Sequence, residues 1–118
     1  SFELTIDKTG CFPKKERTRI LWLDIDGNIT SLNSLFLNIE KKMELLGFPK
    51  SEEDYFPHIT LARLKYPQKH TPDITTFLKS SYDPIDFTVD RVQFLSSELL
   101  PSGTIYTLLG SYPLGETL

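Results

Sequence analysis

Phe2, Leu4 and Ile6 alternate with Ser1, Glu3, Thr5 and Asp7, the period of a half-buried strand with one wet face. Thr9, Gly10 and Pro13 are expected to interrupt it. From Arg19 to Ile25 the chain is almost continuously apolar, and Asp26, Gly27 and Asn28 close the run. This predicts a central strand covered on both faces, then a turn. Leu32, Leu35, Phe36, Ile39, Met43 and Leu46 recur at helical spacing, which predicts a helix over 31–46. Thr30 or Ser31 is placed to cap its start, and Gly47 with Pro49 to stop it. An acidic linker at 51–54 leads to a strand over 59–64, a loop through Pro67 and Pro72, and a short helix over 74–80. Ile85, Phe87 and Val89 alternate as a strand, and the change of parity at Val92 and Phe94 predicts a bulge or bend near Asp90. Pro101, Ser102 and Gly103 make a turn before a last strand over 104–109. The order β-β-α-β-α-β-β describes an α+β domain with a largely antiparallel sheet.

At 118 residues with 39% apolar and 25% charged positions, the chain is one domain that buries roughly two thirds of its unfolded surface. Its one cysteine, Cys11, excludes an internal disulfide and a cysteine-built zinc site. No apolar run approaches the ~18–20 residues of a membrane span, and no signal-peptide pattern is visible, so a cytoplasmic location is expected. A net charge of -3 disfavours gripping long duplex DNA. The local run Lys14-Lys15-Glu16-Arg17-Thr18-Arg19 is basic. It reads either as a solvated loop or as a contact for a nucleotide or an RNA end. The chain starts at Ser1 and its single methionine is Met43, which leads us to expect a processed or truncated chain.

Candidate chemistry concentrates in Pro57-His58-Ile59-Thr60-Leu61-Ala62-Arg63. Strand alternation puts His58, Thr60 and Ala62 on one face, with Ile59 and Leu61 toward the core. His58 and Thr60 then stand about 7 Å apart along the strand. Histidine can take or give a proton near neutral pH. A threonine hydroxyl can hydrogen-bond a phosphate oxygen, and Ala62 would leave room for a ligand. Arg63 has the forked charge that suits phosphate. On a straight strand, however, it points to the core side; it reaches the site only if the strand ends or bulges, or if its side chain curls round the sheet edge.

The pattern as a whole resembles the 2H phosphoesterase superfamily, and within it the bacterial and archaeal 2′-5′ RNA ligase group of RNA 2′,3′-cyclic phosphodiesterases. That group carries a His-x-Thr-x motif twice. Phe56-Pro57-His58-Ile59-Thr60-Leu61-Ala62-Arg63 looks like its second copy. Gly10-Cys11-Phe12-Pro13, Ile20-Leu21-Trp22-Leu23, Leu45-Leu46-Gly47-Phe48, Leu95 to Leu99, Gly103 to Tyr106 and Tyr112-Pro113-Leu114 look like further landmarks in the family's order. The resemblance implies that the chain is the larger part of a two-lobed, pseudo-symmetric 2H phosphoesterase fold. The first motif would lie in a missing N-terminal segment of roughly 60 residues, by the family's size. The only other histidine, His70, is followed directly by Thr71; the spacing is wrong, and it reads as an ordinary loop residue.

By the same resemblance, the activity is hydrolysis of an RNA 2′,3′-cyclic phosphate to a 2′-phosphate, reversible in principle to 2′-5′ ligation. His58 is the catalytic general base, and the first-motif histidine protonates the leaving 3′ oxygen; the roles swap with direction. Thr60 and Arg63 bind the phosphate, and Phe56 is placed to stack on a base or to serve as a core aromatic. No metal or other cofactor is expected. The partner is an RNA end or a nucleoside 2′,3′-cyclic phosphate, with no membrane involved. The alternatives are an RNA- or nucleotide-binding module without turnover, and a structural or regulatory relative in which His58 does no chemistry.

Overall fold

A computed structural model describes residues 1–65 and 72–115. The elements are β1 (Phe2–Phe12), a 3₁₀ turn (Lys15–Arg17), β2 (Ile20–Gly27), α1 (Ile29–Leu45), β3 (His58–Arg63), α2 (Thr75–Lys79), β4 (Ile85–Val89), β5 (Arg91–Leu100) and β6 (Gly103–Pro113). They form a four-stranded sheet in the order β3-β2-β1-β4 and a two-stranded sheet of β5 and β6. β1 with β2, β2 with β3, and β5 with β6 are all antiparallel, so the architecture is the expected α+β. The loop read at 65–71, with His70, lies outside the described residues except for Lys65.

The chain divides into two compact units, Leu4–Phe87 and Ser1–Glu3 with the chain from Thr88 onward. In the first unit β1 is one long strand, where an interruption at Thr9 and Gly10 was expected. The strand survives because the irregularity is a one-residue bulge. Lys8 adopts φ 64° and shifts the register between Asp7 and Thr9. Asp7 Oδ1 accepts from the Lys8 amide at 2.9 Å, and the Tyr82 hydroxyl donates to the Lys8 carbonyl at 2.7 Å. Burial, and then the negative Asp7 and Asp24, push the Tyr82 hydroxyl pKa up, which keeps that donor protonated. Gly10 stays inside the strand because the Trp22 ring occupies the space a Cβ would need.

β2 lies inside the sheet, with Ile20–Ile25 half-buried throughout. The turn after it needs Gly27 at φ 101°. α1 begins two residues earlier than the apolar stripe predicts because Asn28, rather than Thr30 or Ser31, is its cap: Asn28 Oδ1 accepts from the Ser31 amide at 3.1 Å. At the other end Gly47, at φ 97°, donates to the Glu44 carbonyl, and Phe48 donates to the Met43 carbonyl, a Schellman closure. The predicted stripe is half-buried from Leu32 to Met43, but Leu46 is 73% exposed, because the helix has ended there.

α2 docks on β1 through Thr9, whose hydroxyl donates toward the Phe77 and Leu78 carbonyls. Among the described residues of this unit, Leu4 and Ile74 are the buried apolar side chains. In the second unit β5 and β6 pair from Arg91 opposite Pro113 to Leu100 opposite Gly103, with a shift between Phe94 and Leu95. The parity change read as one bent strand near Asp90 is a boundary between β4 and β5, which belong to different sheets. β6 also runs farther than expected, to Pro113.

Candidate functional site

Strand register decides which side chains share a face. β2 alternates, so Ile20, Trp22 and Asp24 point to one side and Leu21, Leu23 and Ile25 to the other. Across β3, Asp24 faces His58 and Trp22 faces Thr60, while Leu21 faces Ala62 and Ile20 faces Arg63. The shift between Leu21 and Trp22 leaves Leu61 as the extra residue of a β-bulge. This single insertion settles the parity of Arg63: it joins His58 and Thr60 on one face. It also corrects two expectations. Ala62 turns to the other face, and Leu61, expected in the core, is 55% exposed. Across β1 the same face receives Phe12 opposite Ile20, Gly10 opposite Trp22 and Asp7 opposite Asp24.

His58 is half-buried at the start of β3. Its Nδ1 lies 2.8 Å from the Phe56 carbonyl. A carbonyl only accepts, so Nδ1 donates in this contact, and in the neutral ring the lone pair is then on Nε2. Aromatic rings hold the imidazole from the side. Phe12 meets it edge-on at 5.3 Å, Phe56 is 5.9 Å away and Trp22 6.3 Å. Phe12, Trp22 and Phe56 also contact one another at 5.1–5.4 Å. The Trp22 Nε1 is buried without a hydrogen-bond partner among the described residues. Phe56 is 45% exposed, so one part of its ring belongs to this cluster and the rest is available to a ligand.

A groove of about 540 Å³ opens beside His58, walled by Phe12 and Phe56 and continued by the segment from Ser51 to Tyr55. That segment is fixed against α1. The Ser51 amide donates to Glu40 Oε2 at 3.2 Å, and the Tyr55 ring stacks on Phe36 at 4.1 Å, 6° from parallel. Burial pushes the Tyr55 hydroxyl pKa up. At the opposite end of β3 the basic turn is held by Thr18. Thr18 is fully buried, and its hydroxyl lies 3.0 Å from both the Lys14 and Lys15 carbonyls. Among the described residues no group of three or more His, Cys, Asp or Glu could hold a metal ion.

The structure therefore brings His58, Thr60, Arg63 and Phe56 together on or beside one face. Sequence reasoning assigned no role to Phe12 and Trp22, although both lie in segments it singled out, nor to Asp24 as the cross-strand neighbour of His58. Their signal was the register, which becomes readable only once both bulges are known.

This arrangement can be set beside known proteins. A family model described as the 2′-5′ RNA ligase superfamily matches residues 1–99. The chain is similar to the RNA 2′,3′-cyclic phosphodiesterase of Thermotoga maritima, 36% identical over 110 residues that are 92% of this chain and 56% of that protein. It is also similar to the enzyme of the same name from Methanothermobacter thermautotrophicus, 31% identical over 109 residues, 90% of this chain and 57% of that one. The crystal structure of TT0787 of Thermus thermophilus superposes with a TM-score of 0.64 at 26% identity, over 96% of this chain and 60% of that chain. The chain thus spans a little over half the length of the curated relatives it matches.

Proposed function

Because the chain belongs to the 2′-5′ RNA ligase superfamily, we propose that it is the part of an RNA 2′,3′-cyclic phosphodiesterase that carries the second His-x-Thr-x motif and supplies one of two proton-transfer groups. The observation that carries this reading is the 2.8 Å contact of His58 Nδ1 with the Phe56 carbonyl: with Nδ1 donating there, a neutral ring keeps its basic lone pair on Nε2.

In the reaction, Nε2 of His58 takes a proton from water as the water oxygen bonds to phosphorus. The bond from phosphorus to O3′ breaks, and O3′ receives a proton from a second acid, leaving a 2′-phosphate. In this reading that acid is contributed from outside this chain by the rest of the protein. Thr60 and Arg63 share the face of His58 and donate to the non-bridging phosphate oxygens, where charge grows in the transition state. The exposed part of Phe56 stacks on the base of the terminal nucleotide. Run backwards, the same steps join an RNA 2′,3′-cyclic phosphate end to a 5′-hydroxyl through a 2′-5′ bond. The protein acts in the cytoplasm on RNA ends.

The test is hydrolysis of a nucleoside 2′,3′-cyclic phosphate by the full-length protein and its His58→Ala variant. A positioned base contributes on the order of 10²–10⁴-fold, so the variant should lose that factor in kcat. Unchanged turnover would overturn the assignment of His58. Tight RNA binding by the wild type without turnover would leave a binding module in place of an enzyme.

A further inference from the structure

Among the described residues the imidazole of His58 has one hydrogen bond, from Nδ1 to the Phe56 carbonyl at 2.8 Å. That bond is too little to aim the ring. The terminal torsion of histidine is broad and roughly two-fold, and a neutral hydrogen bond is only modestly better than the one water would offer in its place. A second contact has to keep the ring on the carbonyl.

The three neighbouring rings are not equivalent in this respect. Phe56 belongs to the same segment as His58 and is 45% exposed. Trp22 is the farthest, at 6.3 Å. Phe12 is the nearest, at 5.3 Å with the two planes 88° apart, a favourable edge-to-face geometry. It comes from β1, which β2 separates from β3, so it approaches His58 from a different part of the chain. Phe12 is itself held. Trp22 and Phe56 pack on its ring at 5.1 and 5.4 Å, and its carbonyl accepts from the Arg19 amide at 2.7 Å.

We infer that Phe12 is a positioning residue, which holds the imidazole of His58 on the Phe56 carbonyl and thereby aims Nε2. The use of Nε2 as a base rests on the proposed function; the aim of the ring does not. A displacement of about 1 Å can cost a reaction on the order of a hundredfold, so a partial loss of aim should lower kcat about tenfold. Phe12 also lines the groove. A ring that acted by stacking on the substrate would change KM instead.

The experiment uses the full-length protein and three variants. Phe12→Leu keeps apolar bulk and loses the flat ring, Phe12→Tyr keeps the ring, and Leu4→Val trims a buried side chain that pairs opposite Gly27. Steady-state kinetics on a nucleoside 2′,3′-cyclic phosphate are read beside two-bond ¹H–¹⁵N spectra of the neutral His58 ring, whose signals are identified by their loss in His58→Ala. The wild type should carry its proton on Nδ1. Phe12→Leu should lower kcat about tenfold with KM within about twofold and mix the two tautomers. Phe12→Tyr should restore both readings, and Leu4→Val should move neither. A change confined to KM overturns the inference in favour of substrate stacking. An unaltered ring spectrum in Phe12→Leu also overturns it, as does an equal change in Leu4→Val. Absence of turnover in the wild type, while Phe12→Leu still mixes the tautomers, counts against the phosphodiesterase reading and leaves the positioning role standing.

Discussion

At the scale of single residues the site depends on ring packing as much as on the histidine. His58 is aimed by one backbone hydrogen bond and kept in place by Phe12, Trp22 and Phe56. Trp22 can lie across β1 because Gly10 has no Cβ; an ideal Cβ there would fall 2.2 Å from the indole ring. The ring is flanked by Phe12 and Phe56 and has little room to retreat. Gly10→Ala should therefore destabilise the protein by about 1–3 kcal/mol, the range for overpacking, read as a lower urea midpoint at unchanged slope. Trp22→Phe should cost less, about 1 kcal/mol, since the Trp22 Nε1 has no described hydrogen-bond partner to lose. An equal or larger loss in Trp22→Phe would show that the indole nitrogen matters.

At the scale of elements, β-bulges assemble the face. Leu61 is the extra residue of β3, and without it Arg63 would stand on the opposite side from His58. Deleting Leu61 restores simple alternation. It should weaken binding of a nucleoside 2′-monophosphate about tenfold, as should Arg63→Ala, because on the proposed function each would remove a charged donor from the phosphate. If the deletion leaves affinity intact while Arg63→Ala lowers it, the bulge does not aim the arginine. This is also where sequence reasoning reached its limit. Alternation in Phe2, Leu4 and Ile6 and the stripe from Leu32 to Met43 were legible because a strand and a helix bury regular faces. The bulges were not, since neither Lys8 nor Leu61 is a glycine or proline that would mark one. The cap Asn28 was missed because helical geometry starts before the apolar stripe does. His58, Thr60 and Phe56 were singled out as candidates from residue types and from a family resemblance; Phe12 and Trp22 needed the cross-strand register. A smaller element shows a pH effect. Asp73 accepts from the Thr75 amide at 3.0 Å, and chiefly this hydrogen bond holds its carboxyl below the usual range. A depressed carboxylate stabilises above its unfolded pKa of about 3.9 and loses that contribution as pH falls through the folded value. The protection factors of the α2 amides, taken relative to intrinsic exchange at each pH, should fall over that acid window in the wild type and hold steady across it in Asp73→Asn.

On the scale of the whole molecule, a net charge of -3 conceals an ordered separation on the sheet. Asp7 and Asp24 lie at the His58 end of the shared face. At the other end Arg63 pairs with Ile20, the Leu64 amide donates to the Arg19 carbonyl at 2.7 Å, and the turn carrying Lys14 and Lys15 joins β1 to β2. A phosphate chain leaving the site over Thr60 and Arg63 therefore runs from negative toward positive surface, and the opposite path meets carboxylates. On the proposed function, an RNA end would fit this polarity better than an internal site, because only one direction welcomes further phosphates. Since the buried Thr18 fixes the basic turn, replacing its outward lysines should leave the fold intact. Lys14→Glu with Lys15→Glu should raise KM for an oligonucleotide ending in a 2′,3′-cyclic phosphate. It should also flatten the salt dependence, since the slope falls by about one for every phosphate the protein ceases to neutralise. KM for a mononucleoside 2′,3′-cyclic phosphate should not follow, because that substrate has no second phosphate to reach the turn. If both substrates weaken together, the lysines act on the reacting phosphate itself and the polarity ends at Arg63.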